Sequence, residues 1–115
     1  MPTELKDLPK CPIAVVLKLL SCKWKFFIIR DLLEGSRRFG ELKKMTGCSQ
    51  KILTVKLREM EEDGLIERRV FAEVPPRVQY TLTDIGYSIA PVLEAMAQWG
   101  TDYKQYCKIK NKLKK

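Results

Sequence analysis

No histidine occurs in this 115-residue chain, which removes the side chain most often used for proton transfer near neutral pH. A cysteine nucleophile would find no imidazole to take its proton. The four cysteines, Cys11, Cys22, Cys48 and Cys107, contain no C-x-x-C pair, so no zinc site is expected. A glycine-rich phosphate loop is missing too, and the acidic residues are scattered over expected helix surfaces. Catalysis is therefore not expected, nor is a metal or an organic cofactor. No apolar stretch approaches the roughly 20 residues that a membrane-spanning helix needs. The opening ten residues, MPTELKDLPK, have no apolar segment of signal-peptide type. These absences point to a cytoplasmic protein without membrane contact, its cysteines resting as reduced thiols.

Positive charge is plentiful. Lysine and arginine total 22 against 14 acidic residues, a net charge of +8, and such a surface attracts polyanions, nucleic acid first among them. Residues 108–115 carry five of the lysines, yet the rest of the chain keeps a net +3 without them. With 45% hydrophobic residues the chain can bury a real core. One domain over residues 1–115 is expected, ordered from about 12 to 107 and ending in a basic tail at 108–115.

Apolar periodicity sets the order of elements. A helix is expected over residues 12–20, where Ile13, Val16, Leu17 and Leu20 share a face behind Pro12. Over residues 23–33, Trp24, Phe27, Ile28 and Leu32 line one stripe while Phe26, Ile29 and Leu33 line another, before Gly35. A helix apolar on two sides is buried on two sides. A brief helix follows at 40–46, with Leu42 and Met45 inward and Gly47 as its stop. Ser49 then caps a second helix running to about Asp63, before Gly64. Two helices joined by a tight glycine turn form a helix-turn-helix, a pattern also found in proteins that never touch DNA. The sequel narrows it. Residues 65–71 and 78–82 read as strands flanking Pro75 and Pro76, and a hairpin directly after the second helix is a wing. Thr83 caps another helix, interrupted near Pro91. Beyond it Val92, Met96, Trp99, Tyr103 and Tyr106 follow a helical stripe at the end of a domain whose core is already supplied, which suits an intermolecular surface. The fold class expected is mainly α with a small β-hairpin wing (α+β), a winged helix-turn-helix.

Residues 100° apart on the second helix place Leu53, Leu57 and Met60 on one side, the buried one. The opposite side carries Lys51, Thr54, Val55 and Arg58, with Ser49 and Gln50 at its leading end. These groups suit a major groove: Gln50 can pair with adenine, Arg58 with guanine, and Val55 can touch a thymine methyl. Ser49 and the free amides of the first turn suit a phosphate. Each basic residue taken singly also fits a plain solvated face, and Arg58 has Glu62 four residues on as a local partner. Glu59, Glu61 and Glu62 gather at the far end, which leaves the leading turns free of acid. Arg77 at the wing tip is placed to reach the minor groove or its phosphates, and Arg37 and Arg38 to touch backbone.

The strings CPIAVVLKLLSCKWKFFIIRDLLEG, RRFGELKK, SQKILTVKLREMEEDGLIERRVF, EVPPRVQYTLTDIGYSI and PVLEAMAQWG resemble the HxlR-type winged helix-turn-helix regulators of bacteria, relatives of the MarR group, over residues 11–100. The resemblance implies a homodimer built from the N- and C-terminal helices, with Trp24, Phe27, Val92, Met96, Trp99 and Tyr103 as interface candidates. It implies double-stranded DNA as the partner, and a two-fold dimer implies a pseudo-palindromic operator with half-sites about 10 to 10.5 base pairs apart or a multiple of that. Ser49, Gln50, Lys51, Thr54 and Arg58 carry over onto the recognition helix and Arg77 onto the wing. Several members sense small electrophiles or oxidants through a cysteine matching Cys11. At Cys11 the free amides of a helix opened by Pro12, and neighbouring Lys10, favour an anionic sulfur, the reactive form; a small buried hydrophobe is the alternative role. Cys22 stands where many relatives have glycine, and Cys48 where an aliphatic residue is usual. Cys48, just before the cap, can staple onto Leu53, while Cys22 has no such account. A non-catalytic adaptor, its winged fold serving protein contacts, is the competing function.

Overall fold

The structure, a computed structural model, describes residues 4–113. After a single 3-10 turn (Leu5–Asp7), the helices are α1 (Pro12–Leu19), α2 (Lys23–Leu32), α3 (Phe39–Thr46), α4 (Gln50–Glu62), α5 (Asp84–Tyr87) and α6 (Ala90–Leu113). The strands are β1 (Arg37–Arg38), β2 (Ile66–Phe71) and β3 (Arg77–Leu82). The chain is thus mainly helical with one small antiparallel sheet, the winged helix-turn-helix expected from its periodicity.

The core sits where α2, α3, α4 and the sheet meet. Ile28, Ile29 and Leu32 of α2, Leu42 of α3, and Leu53, Leu57 and Met60 of α4 are all buried, with Leu65, Ile66 and Leu82 closing the sheet side. Half-buried Trp24, Phe26 and Leu33 pack around this cluster, so α2 does bury two sides. Gly47, with φ of 76°, ends α3 in the left-handed region that side chains avoid, and its N–H reaches the Lys43 carbonyl at 3.0 Å. That turn sets α3 against α4. At Gly86 the reason for glycine is space: an added Cβ would stand 2.2 Å from the Leu65 carbonyl oxygen, on which α5 rests.

The structure departs from the sequence expectations in four places. The wing hairpin is one part of a three-stranded sheet, because β1 pairs with the free side of β3 in the order β1-β3-β2. Met45 is 40% exposed rather than inward. Phe39, Leu42 and Thr46 define the inward stripe of α3, and Met45 lies about a quarter turn off it. The helical stretch after Thr83 is two helices, and Pro91 falls in the first turn of the second, where its missing N–H costs nothing. Finally α6 runs past residue 107 to Leu113, so Lys108, Lys110 and Lys112 extend a helix instead of starting a tail. Lysine is a good helix former, and cations are favoured at a helix C-terminus. Residues 114 and 115 lie outside the described residues. Among the described residues no helix is long and apolar enough to cross a membrane. The radius of gyration, 17.1 Å, exceeds the roughly 13 Å of a compact domain this long, because α6 projects from the core.

One ion pair is unusually deep. Lys25 of α2 has a side chain only 3% exposed, and its Nζ meets Glu59 Oε2 of α4 at 2.8 Å. Lys56 approaches the other Glu59 oxygen at 3.6 Å. The bond from Lys25 leads in holding the Glu59 carboxyl below its ordinary value, against the opposing push of burial. Glu59→Gln, which strands the buried ammonium, should cost about 1 to 3 kcal/mol, less than a fully buried pair because Glu59 is 38% exposed. Lys25→Met should cost less, since Lys56 still serves Glu59 and a methionine fits the apolar surroundings. A depressed folded pKa adds stability above the unfolded value of about 4.3 and loses it as pH falls through the folded value. The gap between the parent and Glu59→Gln in urea unfolding should therefore be full at pH 7 and close on acidification below about 4.

Candidate nucleic-acid interface

The buried ridge of α4 dictates its exposed one. With Leu53, Leu57 and Met60 committed to the core, Gln50, Lys51, Thr54, Val55 and Arg58 all lie exposed along the outer face. Ser49 is the N-cap, and its Oγ accepts the Ile52 N–H at 3.3 Å. Thr54 Oγ1 donates to the Gln50 carbonyl at 2.8 Å, which turns its methyl outward beside Val55. Two of the acids on this helix are drawn aside. Glu59 serves Lys25 and Lys56, and Glu61 faces Arg68 at 3.9 Å. The Arg58–Glu62 pair weighed from the sequence is not among these bridges.

Between α4 and the sheet lies an open groove of about 740 Å³ lined by Phe39, Thr54, Leu57, Arg58, Glu61, Glu62, Gly64, Arg68 and Tyr80. The β2–β3 register explains its far wall: Ile66 opposes Leu82, and one step along the same face Arg68 opposes Tyr80. Arg68 and Tyr80 were missed from sequence. The signal lay in the phase of the strand, since Arg68 shares a face with Ile66, but adjacent Leu65 and Ile66 are both apolar and left that phase open. Burial pushes the Tyr80 phenol above its ordinary value, Arg68 opposes the push, and Glu61 adds to it. The phenol keeps its proton, so it can donate a hydrogen bond.

The other arginines are less alike than their sequence suggested. Arg77 does not hang free at the wing tip. It opens β3 opposite Phe71, stacks its guanidinium 4.2 Å from that ring's centre, and bonds Glu73 at 3.2 Å. These contacts brace the hairpin. Arg37 is similarly tied inward, donating to the Asp31 carbonyl at 3.4 Å and pairing with Glu34 at 3.3 Å. Arg38 is exposed; its main-chain N–H goes to Glu41 Oε1 at 2.9 Å, leaving the guanidinium outward. Arg38, Gln79 and Arg69 are consecutive partners across β1, β3 and β2, a polar row on the outer side of the sheet.

Away from this surface, α6 leaves Val92, Met96, Trp99 and Tyr103 exposed, and the stripe continues through Tyr106, Ile109 and Leu113. Trp99 stacks on Tyr103 with ring centres 5.4 Å apart. Ile13 and Leu17 of α1 are 72% and 62% exposed. Trp24 and Phe27 are half-buried and meet edge to face at 5.9 Å. Cys11 is exposed, Cys22 and Cys107 partly so, and Cys48 is buried; all four are free thiols. Among the described residues no cluster of potential metal ligands occurs.

A recognition helix packed behind a shorter helix and followed at once by a wing defines a winged helix-turn-helix DNA-binding protein of the MarR-like type. Residues 19–108 match the HxlR-like helix-turn-helix family, and the chain belongs to it. It is 40% identical to the HTH-type transcriptional regulator YdeP of Bacillus subtilis over 99 residues, 85% of this chain and 77% of that protein. Its fold is similar to a MarR-family transcriptional regulator of Enterococcus faecalis, with a TM-score of 0.73, 39% identity, and 92% and 94% of the two chains covered. It is also similar to the redox regulator HypR in its reduced form, with a TM-score of 0.79, 32% identity, and 85% and 98% covered. The chain is a transcriptional regulator of the helix-turn-helix type, not an enzyme.

The cap at Ser49 is the local device that starts the exposed helix. Ser49→Ala should lower stability by about 1 kcal/mol, and Ser49→Gly by only a few tenths, in urea denaturation.

Proposed function

We propose that the protein regulates transcription in the cytoplasm as a homodimer that binds a pseudo-palindromic operator, with α4 of each copy in successive major grooves. The observation that carries this is the outer face of α4, where five exposed polar, methyl and basic side chains stand together while neighbouring Glu59 and Glu61 are engaged by Lys25, Lys56 and Arg68. In this reading Gln50 and Arg58 read base edges, Val55 and the Thr54 methyl meet thymine, and Lys51 and the amide end at Ser49 hold phosphate. Arg38 and Arg68 add backbone contacts. Arg37 and Arg77 serve by shaping the sheet, and their charge still adds to the local field.

Anisotropy titration against duplex DNA from upstream of the protein's own gene, at several salt concentrations, tests this. The log–log slope should be about −0.9 per phosphate neutralised, and Lys51→Ala should make it shallower by about one such unit on every sequence. Arg58→Ala should cost about 1 to 3 kcal/mol on the preferred site and little on scrambled DNA. Equal, salt-insensitive binding of both duplexes overturns the reading.

The apolar stripe of α6, with α1 and the Trp24 and Phe27 side of α2, is the proposed dimer surface. Its support is area: the chain exposes 8527 Å² where a compact monomer of this mass exposes about 6,500 Å². Trp99→Asp should shift the sedimenting species toward a single 13.4 kDa chain and weaken DNA binding with it. Exposed Cys11 is proposed as a sensor of a small electrophile or oxidant, supported by the likeness to HypR, itself a redox regulator. If Cys11→Ser binds and releases DNA under diamide as the parent does, that role falls.

A further inference from the structure

We infer that the wing tip, Val74-Pro75-Pro76, reads the DNA minor groove by shape: its apolar groups press in beside a flexible base step, and no arginine enters with them. This rests on the DNA reading above and assigns the specificity that the wing adds to α4.

The β2–β3 register lays out the α4 side of the hairpin in steps. Ile66 and Leu82 close the core, Arg68 and Tyr80 line the groove beside α4, and Val70 and Val78 come next, with Val70 60% exposed. The apolar end of the wing is thus continuous with the candidate interface. From Ile66 to Phe71 the strand advances five residues, and at about 3.4 Å each the hairpin projects about 17 Å past its last core pair. Successive turns of a duplex lie about 34 Å apart, so a reader in one major groove has the adjoining minor groove about 17 Å along the axis. The hairpin is long enough for its tip to meet that minor groove while α4 occupies the major one.

The chemistry of the tip decides how it reads. Residues 72–76 are all exposed, Val74 fully so. Proline has no main-chain N–H, so Pro75 and Pro76 bring neither a donor nor a charge. Such a tip cannot bond the acceptors that A·T pairs show on the groove floor. It can wedge. Apolar side chains in a groove about 6 Å wide push its walls apart and partly unstack a step, at least cost where that step is pyrimidine–purine. Arg77 is unavailable for this role, since its guanidinium is stacked on Phe71, its Nε is buried and Glu73 holds its other end.

Charge selects nucleic acid over an apolar protein partner. The three strands carry five arginines, whereas the sheet and its tip hold two acids, Glu67 and Glu73. Both acids are paired: Arg69 meets Glu67 at 3.5 Å and Arg77 meets Glu73 at 3.2 Å. An apolar point inside a positive collar matches a groove whose two edges are rows of phosphates.

The test uses the full chain and duplex DNA from upstream of its own gene. Hydroxyl-radical footprinting locates the minor groove covered about half a turn outside the α4 contacts. The base step there is then set to TA or to AA, and both duplexes are titrated by anisotropy. The parent should bind the TA duplex about tenfold more tightly. Val74→Ser, at a fully exposed position, should keep the parent's urea midpoint and bind the two duplexes alike. Val74→Arg should reverse the preference, because a cation favours the narrow groove of an A-tract. Absence of protection outside the α4 contacts, a parent indifferent to the step, or an undiminished TA preference in Val74→Ser overturns the inference and leaves the DNA reading standing. A parent without salt-sensitive, site-selective binding overturns both.

Discussion

Leu53, Leu57 and Met60 can face only inward, and most of what this protein presents to its surroundings follows from that. The three side chains form one ridge on α4, buried against α2, α3 and the sheet. A helix is a rigid body at this scale, so fixing one ridge fixes the opposite one. Loss of the ridge would let α4 roll, and a roll of one residue position, 100°, would carry Lys51 and Arg58 out of the shared face. The Lys25–Glu59 bridge reinforces the same register from the side. It is a directional bond in a place where apolar contacts alone would leave rotation cheap.

The distribution of charge is the second consequence. A net charge of +8 attracts any polyanion, but a uniform positive surface carries no orientation. Orientation arises in part because several acids close to α4 are committed: Glu59 to α2, Glu61 to the sheet, Glu41 to the main chain at the start of α3, while Glu62 stays at the far end of α4, in the groove. The leading turns of the outer face of α4, from Gln50 to Val55, carry no acid. Arg77 shows the opposite use of a cation. Held on Phe71 and Glu73, it keeps the wing hairpin in shape.

The helical part of this arrangement was legible in the sequence because each helix boundary carries its own local chemistry. Pro12 opens α1, Gly47 and Ser49 divide α3 from α4, and Thr83 caps α5 through the Gly86 N–H. The apolar period then orients each helix. The sheet was only partly legible. A two-residue strand such as β1 has too little pattern to reveal its pairing with β3, which arises from a contact across the fold. The candidate interface divides along the same line. Residues on α4 follow from helical geometry, whereas the engagement of Arg37 and Arg77 and the presence of Arg68 and Tyr80 in the groove depend on strand phase and on long-range neighbours.

The exposed stripe of α6 bears on why so small a domain keeps so long a final helix. Twenty-four residues of α6 contribute no fully buried side chain, so within one chain that helix is held mainly by its first turns near Ile89 and Leu93, which pack on the core. Isolated helical turns are marginal in water, and stability comes from burying an apolar face. Val92, Met96, Trp99 and Tyr103 supply such a face with nothing from the same chain to cover it. The roughly 2,000 Å² by which the exposed area exceeds that of a compact monomer is of the order that obligate partners remove from each other. In the dimer proposed above, α6 would be completed by association, and the spacing between two α4 helices would be set by how two such stripes meet. A distance fixed by packed aromatics is stiff, which suits the proposed match to two half-sites on a stiff duplex.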